Sequence, residues 1–189
     1  MIADIIAGLI GNYMTTLFVV GLIVALVRVL AHRGPRSAEF VSGTFLNSFV
    51  IWGVGVAQTV NFVMHSVFGD YAAKTIGWAQ SPFQWELAVS SLGVGVMAFI
   101  LGRRMAPLIG KAAVVIATVI FGLGAAGGHV YQMIANHDYA ANNTGLLLIS
   151  DIVINLVGLA FVIWHAIAVG RETDTTDAES THAEPVRVA

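Results

Sequence analysis

The stretch Ile5–Val27, IIAGLIGNYMTTLFVVGLIVALV, decides the fold, because it carries no charged residue over a length that can cross a bilayer. A helix needs about 20 predominantly apolar residues to span the hydrocarbon core. Helices and closed barrels are the only structures that satisfy every backbone polar group there. Four more apolar stretches follow this one. We therefore predict an all-α bundle of five transmembrane helices, at about residues 5–29, 40–68, 82–103, 107–136 and 146–169.

The composition of the 189-residue chain is that of an integral membrane protein. Hydrophobic residues make up 57% of it and charged residues 11%, whereas soluble domains carry about 25% charged residues. This balance excludes a soluble enzyme and a disordered chain, and the absence of Cys excludes a disulfide scaffold and thiolate metal sites. Nine Lys and Arg against eleven Asp and Glu leave no basic excess. The expected partner is therefore the lipid bilayer and not nucleic acid.

The basic residues between the apolar stretches predict the orientation of the chain. Eight of the nine lie in or beside the first or third break or after the fifth stretch, and only Lys74 lies elsewhere. Because cytoplasmic segments are enriched in Lys and Arg, we predict an outer N terminus and an inner C terminus in a cell membrane. Residues 171–189 are acidic and have no apolar period. They predict a disordered cytoplasmic tail after a transmembrane domain over residues 1–170.

Polar residues inside the predicted helices fall on shared helix faces. Such residues are costly in hydrocarbon and usually face the bundle interior or a cavity. The spacing of three, four or seven residues places each set on one side of its helix. The sets are Asn61 and His65 in the second helix, Glu86 and Ser90 in the third, His129 and Gln132 in the fourth, and Asp151, Asn155 and His165 in the fifth.

Two imidazoles and two carboxylates from these faces lie at one depth, in the outer third of the bilayer. We predict that His65, Glu86, His129 and Asp151 form a candidate site for a single transition metal such as Zn, Fe or Mn. Imidazole nitrogen and carboxylate oxygen are ligands that such metals accept. The polar residues expected to support the site, or to extend it into a path, are Asn61, Gln132, Asn155 and His165.

The same residues leave other functions open. Haem ligated by His65 and His129 is one alternative. A proton or small-solute path along Asp151, Asn155 and His165 is another, since ionisable groups in a membrane mark such paths. The polar pairs can also serve only to fix helix register, in a structural subunit of a membrane complex or in a homo-oligomer. The sequence does not decide whether the protein is an enzyme.

Two blocks of sequence carry a family resemblance. They are Gly77–Glu86, GWAQSPFQWE, with the pattern G-W-x-x-S-P-F-Q-x-E, and Gly128–Met133, GHVYQM, which is followed by Asn136–Asp138, Asn143–Gly145 and Asp151. The chain resembles DUF6790, an uncharacterised prokaryotic family of multi-span membrane proteins. The resemblance implies a membrane bundle in a bacterial-type envelope and no particular reaction. It places Glu86, His129, Gln132 and Asp151 inside the resembling segments and leaves His65 outside them.

Overall fold

The computed structural model of the protein describes residues 8–182, and side chains up to residue 173. Helix makes up 84% of the structure, and no strand occurs in residues 8–182. The helices are α1 (Tyr13–Ala31), α2 (Ala38–Ser48), a π-helical segment (Phe49–Val56), α3 (Ala57–Ser66), α4 (Gly69–Ile76), α5 (Phe83–Leu101), α6 (Leu108–Asn136), α7 (Ala141–Thr144) and α8 (Leu146–His182).

Five spans are long and apolar enough to cross a bilayer, which confirms the predicted all-α bundle and the predicted number of crossings. They are Tyr13–Ala31, Ala38–Ser66, Phe83–Leu101, Leu108–Asn136 and Ala141–Thr173. We call them the first to fifth spans. Proline begins two of them: Pro82 precedes α5 and Pro107 precedes α6. Proline fits a helix start, because the N–H that it lacks has no partner inside the helix there.

Two segments differ from the predicted outline. The short helix α4 lies between the second and third spans, with Ala72 and Ala73 buried, and Gly77 ends it in the left-handed conformation at φ 88°. Its eight residues are too few to cross a membrane, so the search for apolar runs passes over it. The last helix continues to His182, into the predicted acidic tail. Residues 183–189 lie outside the described residues, and the disorder of the tail stays a prediction.

The second span lies at the centre of the bundle. Half of its most apolar window is buried (50%), against 17% to 22% for the other four spans. Its residues Leu46, Phe49, Val50 and Val54 form the core with small and branched residues of the third, fourth and fifth spans. Glycines let neighbouring helices approach it closely, since a Cβ on Gly21 would lie 3.0 Å from Trp52 Cβ.

The π-helical segment begins at Phe49, whose ring joins a layer of aromatic side chains across the bundle. Phe49 contacts Phe18 edge-on at 6.1 Å between ring centroids and Phe161 at 5.9 Å. Phe45 and Trp164 extend the layer through Phe161. We call these five residues the aromatic layer. Gly158 of α8 lies directly against the Phe49 ring, so the layer depends on the missing side chain there.

We expect Gly158→Ala to destabilise the protein by about 1–3 kcal/mol, because its Cβ would overlap the buried Phe49 ring and force the layer apart. Gly93→Ala in α5 is the matched control, since a Cβ there meets no atom within 4 Å. Thermal unfolding of the two detergent-purified variants, followed by tryptophan fluorescence, checks this. Equal midpoints for the two variants would contradict the close contact at Gly158.

Candidate functional site

The centre of the candidate site is an acid–base pair between the fourth and fifth spans. His129 Nε2 of α6 lies 3.7 Å from Asp151 Oδ2 of α8, and their side chains are only 6% and 9% exposed. Small buried residues of α6, Gly122 and Ala126, precede His129 on the buried face and allow α8 to approach. Two ionisable groups therefore face each other inside the membrane-spanning part of the bundle.

The hydrogen-bond partner of the other ring nitrogen of His129, Nδ1, determines where the neutral ring carries its proton. His129 Nδ1 lies 2.8 Å from Asn143 Oδ1, and an amide oxygen only accepts hydrogen bonds. The orientation of that amide follows from its own contacts: Nδ2 donates to the carbonyl oxygens of Asp138 at 2.8 Å and His129 at 3.3 Å. The neutral imidazole thus carries its proton on Nδ1, and the Nε2 lone pair faces Asp151.

Trp78 also forms a hydrogen bond with the Asn143 amide. Its indole Nε1 donates to Asn143 Oδ1 at 3.2 Å, and its rings lie 5.2 Å from the His129 ring between centroids. Gly128 lies beside the indole, where a Cβ would be in ordinary contact with Trp78 at 3.5 Å. Asn143 is fully buried. The loop that contains Trp78 and the short helix α7 are therefore tied to His129 through the Asn143 side chain.

A small cavity lined by both polar and apolar side chains adjoins Asp151. It measures about 30 Å³, which is room for a water molecule where polar groups surround it. The polar residues that line it are Gln58, Thr118, Ser150, Asp151 and Asn155. Asn155 Nδ2 donates to the Asp151 carbonyl oxygen at 2.7 Å. Phe49 and Gly53 of the π-helical segment form part of its wall, and π-helical turns are frequent at functional sites.

The family model described as a family of unknown function, DUF6790, matches residues 11–171. The chain belongs to the DUF6790 family. No curated protein and no solved structure matches it. The matched range contains His129, Asp151, Asn143 and Trp78, so the whole site lies within the part of the chain that defines the family.

Two of the four predicted metal ligands come together in this DUF6790 protein, and two lie elsewhere. His129 and Asp151 form the pair, whereas His65 is half-buried and its Nδ1 lies 3.1 Å from Gln84 Nε2. Glu86 is exposed, because α5 packs through the opposite face that carries Ala88, Ser91, Gly95 and Ala98. Among residues 8–173, no three His, Asp or Glu side chains are grouped closely enough to hold a metal ion.

The predicted supporting residues take separate roles. Asn61 ties three spans together, since Tyr13 Oη donates to its Oδ1 at 2.6 Å and its Nδ2 donates to Ser91 Oγ at 2.9 Å. Gln132 accepts a hydrogen bond from Asn136 near the surface, and Asn155 lines the cavity. His165 lies about 21 Å from Asp151 along α8, where its Nδ1 is 2.9 Å from Ser42 Oγ.

Trp78 and Asn143 are the site residues that sequence reasoning missed. By sequence alone, Trp78 is typical of an interfacial aromatic anchor, and Asn142–Thr144 matches only the short glycosylation pattern. Both lie in the two blocks that carry the family resemblance, which was the one signal that could have drawn attention to them. The spacing of polar residues along the predicted helices could not identify them, because both residues lie outside those helices.

Proposed function

We propose that this DUF6790 protein conducts protons into or across the membrane, with His129 and Asp151 as the proton-exchanging pair. The observation that carries the proposal is the contact of a buried base with a buried acid, 3.7 Å apart, between two membrane-spanning helices. Ionisable groups in such segments are costly and mark ion or proton paths. A purely structural pair has no need of an adjoining cavity or of a ring nitrogen with its lone pair turned to the acid.

The two groups can exchange a proton without moving far. The bond from His129 Nδ1 to Asn143 Oδ1 leaves Nε2 to accept a proton from Asp151 Oδ2. The result is an imidazolium facing a carboxylate, and the reverse transfer restores the neutral pair. His129 is linked to the loops, and Asp151 borders the cavity. A proton would therefore enter by way of His129 and leave Asp151 toward water in the cavity.

The aromatic layer limits how far such a proton can travel in this conformation. Phe49 borders the cavity and rests on Gly158, about 10 Å along α8 from Asp151. His165 and Ser42 form a second polar contact about 10 Å further on. The apolar rings separate the two polar regions, because they offer no group that can carry a proton. Conduction across the whole membrane requires Phe49 to move.

Proton flux into liposomes tests the proposal. We expect vesicles that contain the protein and a trapped pH dye to acidify at least about tenfold faster than protein-free vesicles after an acid jump. Both His129→Ala and His165→Ala should slow the flux, since both lie on the path. The chain has no Cys, so Lys74→Cys, at an exposed residue of α4, reports which way the protein faces in the same vesicles. We propose that α4 lies outside, as the basic residues predict.

Metal analysis of the same preparations separates proton conduction from the metal site suggested by the sequence. Proton conduction needs no bound metal, and His129 with Asp151 supplies only two ligands of the three or four that a metal site requires. A stoichiometric metal that is lost in His129→Ala and kept in His165→Ala would contradict proton conduction as the function of the pair. Flux no faster than in protein-free vesicles would contradict it as well.

A further inference from the structure

An open polar pocket lies beside the acid–base pair, at the end of the bundle that carries α4 and α7. Its volume is about 650 Å³, within the range of small-molecule sites, about 300–1,000 Å³. Six residues line it: Gly77, Trp78, Ala79, Gln132, Asn136 and Asp138. The proposed proton exchange does not use this pocket, and the predicted metal ligands lie outside its wall.

Asp138 gives the pocket a negative charge that the described residues do not neutralise. Its Oδ1 accepts a hydrogen bond from the backbone N–H of Ala140 at 3.0 Å, and its Oδ2 is buried without a hydrogen-bond donor. Within residues 8–173, no Lys, Arg or His side chain forms an ion pair with it. Gly77 lies directly against the carboxylate: a Cβ added to Gly77 would lie 2.6 Å from Asp138 Oδ1. Asp138 lines the pocket, so the charge of its carboxylate acts on any cation that enters.

Trp78 supplies the second element of the pocket. Its side chain lines the pocket and is 39% exposed, while the bond to Asn143 and the contact with His129 hold the indole in place. The face of an indole attracts cations, and organic ammonium groups are the ligands that combine best with such a face. The side-chain amides of Gln132 and Asn136 offer further hydrogen-bonding atoms on the same wall.

We propose that this pocket binds a small organic cation, an alkylammonium group held between the Asp138 carboxylate and the Trp78 indole. The group is either a free amine in solution or the ammonium headgroup of a lipid in the adjacent leaflet. A bare metal ion fits less well, because indole provides no ligand atom and the pocket has one carboxylate. The proposal stands independently of proton conduction, since its carboxylate is Asp138 and its measurement is the binding of a cation.

Titration calorimetry with tetramethylammonium chloride tests it on the detergent-purified full chain. We expect saturable binding that weakens at least about tenfold in Asp138→Asn, which removes the charge but keeps an oxygen for the Ala140 N–H. Trp78→Leu should weaken binding to a similar extent. Asp70→Asn, which removes an exposed carboxylate of α4, is the matched control and should bind as the wild type does. Uncharged tert-butanol, of nearly the same shape, should not bind.

A second variant keeps the proposal testable if Asp138→Asn fails to fold. Gln132→Lys places an internal ammonium group in the pocket and should block tetramethylammonium while Asp138 stays intact. Nanodiscs distinguish the two sources of the cation: phosphatidylethanolamine should compete with tetramethylammonium if a lipid headgroup is the occupant, and phosphatidylglycerol should not. No binding by the wild type, equal binding by Asp138→Asn, or Asp138-dependent binding of Ca²⁺ in place of tetramethylammonium would overturn the proposal.

Discussion

Replacement of Asp151 by Asn is expected to lower proton flux to the leak of protein-free vesicles, because removing a group that takes up and releases a proton usually costs about 100-fold or more. The amide that replaces the carboxylate has nearly the same size, so the packing between α6 and α8 and the cavity wall are kept. It cannot pass a proton to His129 Nε2, which lies 3.7 Å from Oδ2 in the wild type. The measurement is dye-reported acidification of liposomes at matched protein density.

Asp70→Asn is the control for this experiment, because it also removes one carboxylate, from the exposed surface of α4. We expect it to conduct protons at the wild-type rate. Asp151→Glu should recover part of the flux, since it restores a group that exchanges protons. If Asp151→Asn retains more than half of the wild-type rate while unfolding at the wild-type temperature, Asp151 is not part of a proton path.

Asn143→Ala should cause the largest loss of stability, about 2–4 kcal/mol, because it leaves two donors, Trp78 Nε1 and His129 Nδ1, and two backbone carbonyl oxygens without their partner. The Asn143 side chain makes four hydrogen bonds, to Trp78, to Asp138 and two to His129. Without it, the neutral His129 ring is free to place its proton on either nitrogen. We therefore expect slower proton flux together with a lower midpoint of thermal unfolding.

The neighbouring residue gives a matched control. Asn142→Ala changes the same side-chain type in the same short helix, but Asn142 is only half-buried, whereas Asn143 is fully buried. Its effect on the free energy of unfolding should stay within the range of surface substitutions, about 0.5 kcal/mol. Equal losses for the two variants would mean that α7, and not the hydrogen bonds of Asn143, supports the site.

The number of spans and their approximate limits follow from hydropathy alone. A helix must reach a minimum length to cross the bilayer, and the sequence contains five apolar stretches of that length. Hydropathy also indicates depth, and it correctly places His129 and Asp151 at matching levels. It does not indicate which helices are neighbours. His129 and Asp151 meet because α6 packs against α8, whereas Glu86 lies at a suitable depth on the exposed face of α5.

The rest of the site depends on contacts between residues far apart in the chain. Trp78 and Asn143 are 65 residues apart, and their hydrogen bond forms only after the loops have been brought together by the helices. The π-helical segment Phe49–Val56 is equally hidden, because its composition is that of any apolar helix. No local pattern in the sequence records its wider turn.

The central position of the second span has a consequence for biogenesis. Its mean hydropathy is 1.5, compared with 2.4 for the first span and 2.6 for the fifth, yet it is the most buried of the five. The first and fifth spans are apolar enough to leave the translocon into lipid unaided, whereas the second carries Gln58 and Asn61 on a face that only the other helices cover. A nascent chain therefore holds an incompletely shielded helix until its last span is synthesised, and quality-control proteases would meet it first in that state.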